Sequence, residues 1–205
     1  MQTGHRAYDN VDWYFLLTVM QKMRFGEKWI KWIRWCISTT SFSVLVNGTP
    51  TSFFQSSRGL RQGDLLSPHL FVIAMEVFSS LLKRAVDGSF MSGCRVKSRS
   101  EEGVIISHLL FVDDTLVFCK ASQDHLTYLS WLLMWFAVSG LRINLEKSEL
   151  ILVGRVENID DLAWDFGCRV GSLPSTYLGM PLGAPFKSIT VWDGVEERFH
   201  RLLAM

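Results

Sequence analysis

No run of about 18 apolar residues occurs in this chain, so the sequence predicts nothing that spans a bilayer. Met1 to Asn10 lacks the apolar stretch of a secretory signal, which points to an intracellular protein, nuclear or cytoplasmic, and not a secreted one. Cysteine is sparse: Cys36, Cys94, Cys119 and Cys168 are widely spaced and form no C-x-x-C pair. They permit two disulfides in principle, but three of them sit in apolar runs or beside a helix-ending glycine, so reduced, buried thiols are expected. Charge of one sign is also lacking. A net charge of +1 leaves any attraction for a polyanion to local patches.

Apolar material is plentiful. At 205 residues and 48% hydrophobic content the chain has enough for a real core, in one domain or a large piece of one, and disorder is excluded. No internal repeat, low-complexity tract or long linker divides it. Val11 to Met23 carries apolar residues at helical spacing, and a second helix is predicted over about Glu27 to Ser38. Phe42 to Val46 and Thr51 to Gln55 flank Asn47-Gly48, a strong hairpin signal because both turn residues tolerate positive φ. Pro50 limits the second strand to an edge or a late start.

Ser67 as N-cap, Pro68 at the first helical position and Gly88 just past the end mark a well-punctuated helix. Its apolar residues Leu70, Phe71, Ile73, Ala74, Val77, Phe78, Leu81 and Leu82 wrap most of the circumference, which predicts a buried helix. Ser122 caps a further helix through about Val138, stopped by Gly140. Leu141 to Val153 reads as strands around a turn, and Asp160 to Phe166 as a short helix ended by Gly167. Tyr177 to Leu182 reads as a short strand segment. Helices mixed irregularly with hairpins predict an α+β fold, a sheet covered by helices on one face.

Three constellations carry chemistry. Phe111-Val112-Asp113-Asp114 lies between the apolar runs His108-Leu109-Leu110 and Leu116-Val117-Phe118, which predicts a hairpin with its acidic pair at the tip. Such a pair serves either as plain turn residues accepting backbone hydrogen bonds or as ligands of a divalent metal. Phosphoryl transfer needs positioning plus neutralisation by two metal ions, and carboxylates on a rigid turn supply both. The second is the loop Gly59-Leu60-Arg61-Gln62-Gly63-Asp64 feeding the helix at Ser67-Pro68. A glycine-bounded loop lets backbone and the Gln62 amide approach a nucleotide closely. An ordinary loop–helix junction accounts for its glycines, Ser67 and Pro68, but not for Gln62 between Arg61 and Gly63. The third is Arg24, Lys28, Lys31 and Arg34 at helical spacing, with Trp29, Trp32 and Trp35 between them. These could meet phosphates and stack on bases; a solvated face over a Trp-rich core explains them equally well.

Gln-Gly-x-x-x-Ser-Pro-x-Leu-Phe at Gln62 to Phe71, followed by Phe-x-Asp-Asp, resembles the reverse transcriptase domain of non-LTR (LINE-type) retrotransposons, particularly those of plants. Ala7-Tyr8-Asp9-Asn10-Val11-Asp12-Trp13 is similar to the end of that family's first palm motif. Ser139 to Ser148 is similar to its fourth, and Tyr177-Leu178-Gly179 to its primer-contacting element. The resemblance implies a polymerase palm-like antiparallel sheet bearing the Asp113-Asp114 hairpin, backed by the helices near Pro68 to Ala85 and Ser122 to Val138. Residues 1–205 would be one partial domain, palm with part of the fingers and the start of the thumb, with fingers and thumb largely missing.

By the same resemblance Asp113 and Asp114 are metal ligands for two Mg²⁺, and Arg61, Gln62 and Gly63 contact template or incoming nucleotide. Tyr8 crowds the ribose 2′ position, Lys147 gives a proton to the pyrophosphate leaving group, and Tyr177, Leu178 and Gly179 hold the primer. The implied partners are an RNA template, a DNA primer and dNTPs, with no membrane. The chain departs from the family where it matters most. The essential Asp of the first palm motif falls, in register with Tyr8, on Thr3, and Asp9, which follows the tyrosine, is not a substitute. A threonine hydroxyl supplies no charge to bridge two metals, so activity close to background is expected. Leu65 stands where the family has Pro, Val112 replaces a small Ala, and the helix ending at Gly140 is one residue short. A non-catalytic remnant that at most binds nucleic acid is the alternative.

Overall fold

The computed structural model describes residues 7–96, 103–112, 114–141, 143–154, 156–185 and 188–204. They belong to two compact units, Met1–Asn144 and Leu145–Met205.

In the first unit a one-turn helix, α1 (Ala7–Asn10), leads into α2 (Trp13–Lys22) and α3 (Glu27–Ser38). The helix expected from Val11 starts at Trp13 because extended Asp12 caps it, its carboxylate accepting from the Phe15 N–H at 2.7 Å. Next come β1 (Ser41–Phe42), β2 (Leu45–Val46), β3 (Thr49–Pro50) and β4 (Phe54–Gln55), which together make one broken hairpin. Val46 pairs with Thr49 beside the turn, and Phe42 with Phe54 further out. Asn47 and Gly48 take φ of 50° and 81°, the mirror-image turn expected of Asn-Gly. The second strand stops at Pro50, and Thr51 interrupts the ladder: its hydroxyl accepts from the Val44 N–H.

The centre of this unit is α4 (Ser67–Asp87). Leu70, Phe71, Ala74, Phe78, Leu82 and Ala85 are buried at helical spacing, while Val72 is 64% exposed. The apolar residues that predicted a buried helix are buried or half-buried, and the remaining side meets solvent. The cap also differs from expectation. Leu66 is already helical, so Ser67 and Pro68 lie in the first turn, where N–H groups lack helical acceptors. The buried Ser67 hydroxyl instead lies 3.4 Å from Asp64 Oδ2. Gly88 caps the far end as expected.

Four short strands follow: β5 (Cys94–Val96), β6 (Val104–Ile106), β7 (His108–Phe111) and β8 (Asp114–Val117). They pair as the antiparallel hairpins β5–β6 and β7–β8. Then α5 (Gln123–Phe136) lays Leu126, Leu129, Leu133 and Phe136 into the core, with Phe136 stacked on Phe78 at 4.8 Å between centroids. Its last turn tightens to a 3₁₀ turn (Ala137–Ser139) and ends at Gly140, whose φ is 82°.

The second unit opens with a 3₁₀ turn (Leu145–Lys147). It continues as β9 (Glu149–Ile151), α6 (Ile159–Phe166), β10 (Arg169–Gly171), β11 (Ser175–Tyr177), β12 (Met180–Leu182) and α7 (Asp193–Leu203). Among the described residues of Leu141 to Val153, where the sequence predicts strands around a turn, β9 is the only strand. It pairs in parallel with β10, and α6 serves as the crossover that parallel strands require. Tyr177 to Leu182, expected as one strand, is the hairpin β11–β12 around Leu178 and Gly179. A leucine at φ 54° is not a turn signal, which is why the sequence conceals it.

The α+β class holds, as helices with small antiparallel sheets. Among the described residues the strands pair in twos rather than forming one sheet, and only β9–β10 is parallel. All four cysteines are free, but Cys36 and Cys94 are exposed rather than buried. For Cys36 the reason is that α3 buries only Ile30 and Ile33. Burial raises the Cys119 and Cys168 thiols above the ordinary range.

Two substitutions test this packing. Asp12→Ala removes the α2 cap and should cost about 1 kcal/mol, read as a lower urea midpoint, while Asp12→Ser retains most of it. Gly140→Ala should cost more than that. Its φ is left-handed, and a Cβ would overlap the Asn10 carbonyl oxygen.

Candidate functional site

The segment from Tyr8 to Trp13 is stitched to the loop before α4 by backbone groups. Leu60 N–H donates to the Tyr8 carbonyl at 2.7 Å, and Gly59 N–H to the Val11 carbonyl at 2.8 Å. Trp13 Nε1–H returns a bond to the Gly59 carbonyl at 2.6 Å. Gly59 must be glycine: φ is 87°, and a Cβ would lie 2.6 Å from the Asp9 carbonyl oxygen. On the other side Asp12 N–H donates to the Ser139 carbonyl at 3.1 Å. The Tyr8 ring, half-buried, stacks on Phe71 of α4 at 4.6 Å with 13° between planes. The structure thus unites Tyr8 with the root of the Gln62 loop. Beyond that root Arg61, Gln62 and Gly63 are exposed, and Gly63 at φ 82° has open space where a Cβ would stand.

The β7–β8 hairpin pairs His108 with Val117 and Phe111 with Asp114, with Val112 just beyond the end of β7. Asp114 therefore opens β8 and is half-buried, with fully buried Thr115 behind it. Asp113 and Thr3 lie outside the described residues. Phe111 and Val112 are 55% and 46% exposed, so the tip faces solvent more than its apolar flanks suggested. Val112 takes φ 51°, a left-handed conformation that costs a β-branched residue about 1–2 kcal/mol.

The hairpin is tied to α4 at its base. His108 Nε2 lies 2.8 Å from Ser79 Oγ, and its Nδ1 lies 2.8 Å from Ser107 Oγ. Burial pulls the His108 pKa below the ordinary 6.5, opposed by the Glu76 carboxylate. Sequence reasoning passed over His108, since a histidine at a strand start is no signal without its α4 partner.

The remaining candidates belong to the second unit. Lys147 is exposed at the end of the 3₁₀ turn. Tyr177 closes β11, and Leu178 and Gly179 form the hairpin turn at φ 54° and 77°. The Arg198 guanidinium of α7 lies directly over the Gly179 backbone, so this turn carries a cation the motif did not reveal. Only the fold brings that arginine there.

Among the described residues no group of three or more His, Cys, Asp or Glu side chains is placed to hold a metal ion. No helix among the described residues is long and apolar enough to cross a membrane.

Tyr8 thus packs beside a glycine-pinned loop on the helix that also holds the base of the β7–β8 hairpin. The reverse transcriptase (RNA-dependent DNA polymerase) family model matches residues 5–182, and the chain belongs to that family. It is 48% identical over 71 residues to an uncharacterized mitochondrial protein of Arabidopsis thaliana, covering 35% of this chain and 56% of that protein. It is 26% identical over 186 residues to an uncharacterized 149 kDa protein of transposon TX1 from Xenopus laevis, covering 87% of this chain and 13% of that one. It is 26% identical over 152 residues to the retrovirus-related Pol polyprotein of the type-1 retrotransposable element R2 of Popillia japonica, covering 74% of this chain and 23% of that polyprotein. The chain thus spans about half or less of these relatives, and they agree with a reverse transcriptase domain of the non-LTR retrotransposon kind.

Because His108 is held neutral, its contribution to stability is present above about pH 6.5 and lost as pH falls through its lower folded value. Urea midpoints should fall on acidification below that pH. His108→Gln should flatten this slope.

Proposed function

We propose that this chain descends from an RNA-directed DNA polymerase that added dNTPs to a DNA primer on an RNA template with two Mg²⁺, and that it does not itself catalyse extension. The observation that carries the second half is Thr3 in the register of the first palm aspartate. Two negative carboxylates, Asp113 and Asp114, remain, but no third anion bridges the metals from the opposite side. In such centres one lost electrostatic contact costs roughly 10²–10³ in rate, and a bridging ligand costs at least as much. The protein acts inside the cell, in nucleus or cytoplasm.

In this reading the rest of the site retains its binding roles. Tyr8, braced by Phe71, sits against the ribose 2′ position. Arg61, Gln62 and Gly63 meet template and incoming nucleotide from the exposed loop after Leu60. Tyr177, Leu178 and Gly179 support the primer, and Lys147 faces the pyrophosphate. Val112 adds bulk beside the aspartates and further disfavours a productive nucleotide.

Primer extension on an RNA template decides this, run with the chain and with Asp113→Ala beside it. Both should give the same background incorporation. Extension by the parent that disappears in Asp113→Ala would show an active polymerase and overturn the inactive assignment.

A further inference from the structure

Helix α3 carries two residue ladders that the palm site does not use. At about 100° per residue, Ile30 and Ile33 point to one side, and Lys28, Lys31, Trp32 and Trp35 to the other. The structure bears this out in exposure: Ile30 and Ile33 are buried, whereas Trp32 and Trp35 are 62% and 66% exposed. Of the two explanations the sequence allows, a Trp-rich core under a solvated basic face is therefore excluded for these indoles. Lys28 and Trp32, and Lys31 and Trp35, are i, i+4 neighbours, so each lysine and one tryptophan share the same exposed face. Trp29 meets Trp32 edge to face at 6.1 Å, which steadies the aromatic row. Glu27 is the single acidic residue of the helix, and it lies in the first turn.

We propose that this face of α3 binds single-stranded nucleic acid, one Lys–Trp pair per nucleotide. The ammonium meets a phosphate and the indole stacks on an unpaired base. Large exposed indoles cost free energy in water unless something covers them, and the interleaved cations specify a negatively charged partner. Unpaired bases offer the flat π-faces that indoles take, which duplex bases do not. A protein partner would need acidic side chains in register with both lysines and aromatic side chains in register with both indoles, whereas a single strand repeats phosphate and base at every nucleotide.

The test is fluorescence anisotropy of a fluorescein-labelled oligo(dT) titrated with the whole chain, across about 50 to 300 mM salt. The parent should bind with an affinity that falls with salt. Trp32→Ala/Trp35→Ala should weaken binding about tenfold or more, as loss of base stacking requires. Lys28→Glu/Lys31→Glu should lower the salt slope by roughly 0.7 per lost phosphate contact. All these side chains are exposed, so thermal melting should be unchanged in the variants, and that measurement separates lost binding from lost folding. No binding at the lowest salt overturns the proposal. So does binding that Gln62→Ala weakens and the α3 variants do not, which would place the strand on the palm loop. Self-association in sedimentation that Trp32→Ala/Trp35→Ala abolishes, without oligonucleotide binding, would make the face an interface between copies and also overturn it. Primer extension plays no part in these outcomes, so the fate of the polymerase assignment leaves them readable.

Discussion

Burial of a single stripe on the helix Ser67–Asp87 is the constraint on which the rest of the first unit depends. Phe71 near its start braces Tyr8, Ser79 in its middle holds His108, and Phe78 one position earlier stacks on Phe136. Phe71 and Ser79 stand about 12 Å apart along the helix axis at 1.5 Å per residue. One rigid rod thus sets the spacing between the tyrosine pocket and the base of the aspartate hairpin. Close packing of its stripe permits little adjustment, so a shift in one contact would be felt at the others.

Around that rod, main-chain hydrogen bonds place the pieces more than side chains do. The stretch Tyr8–Trp13 is gripped by Gly59 and Leu60 on one side and by Ser139 on the other. Both grips require glycine: at Gly59 and Gly140 a side chain would enter the space of a neighbouring carbonyl. Backbone proximity of this kind leaves its trace in the sequence as a glycine and nothing else.

Motif residues and their supports differed in legibility. The Asn47-Gly48 turn, the helix stops at Gly88, Gly140 and Gly167, and the β7–β8 hairpin follow from local chemistry, since each depends on φ preference or alternation over a few residues. The parallel pairing of Glu149–Ile151 with Arg169–Gly171 did not follow, because nothing within either strand names a distant partner. Leu178 and Val112 at positive φ were equally hidden: ordinary side chains were forced there by the hairpins they close. The same holds for Arg198 over Gly179 and for Ser79 at His108, contacts between residues whose types are commonplace.

What the sequence by itself determined is lineage. Gln62 to Phe71, Phe111 to Asp114 and Ser139 to Ser148 in order mark a reverse transcriptase, because each motif is local in the chain. What only the tertiary structure decided is which side chains face water and which face each other. Helical periodicity left the Glu27–Ser38 indoles undecided between core and surface. Burial depends on what packs against a helix, and that partner lies elsewhere in the chain.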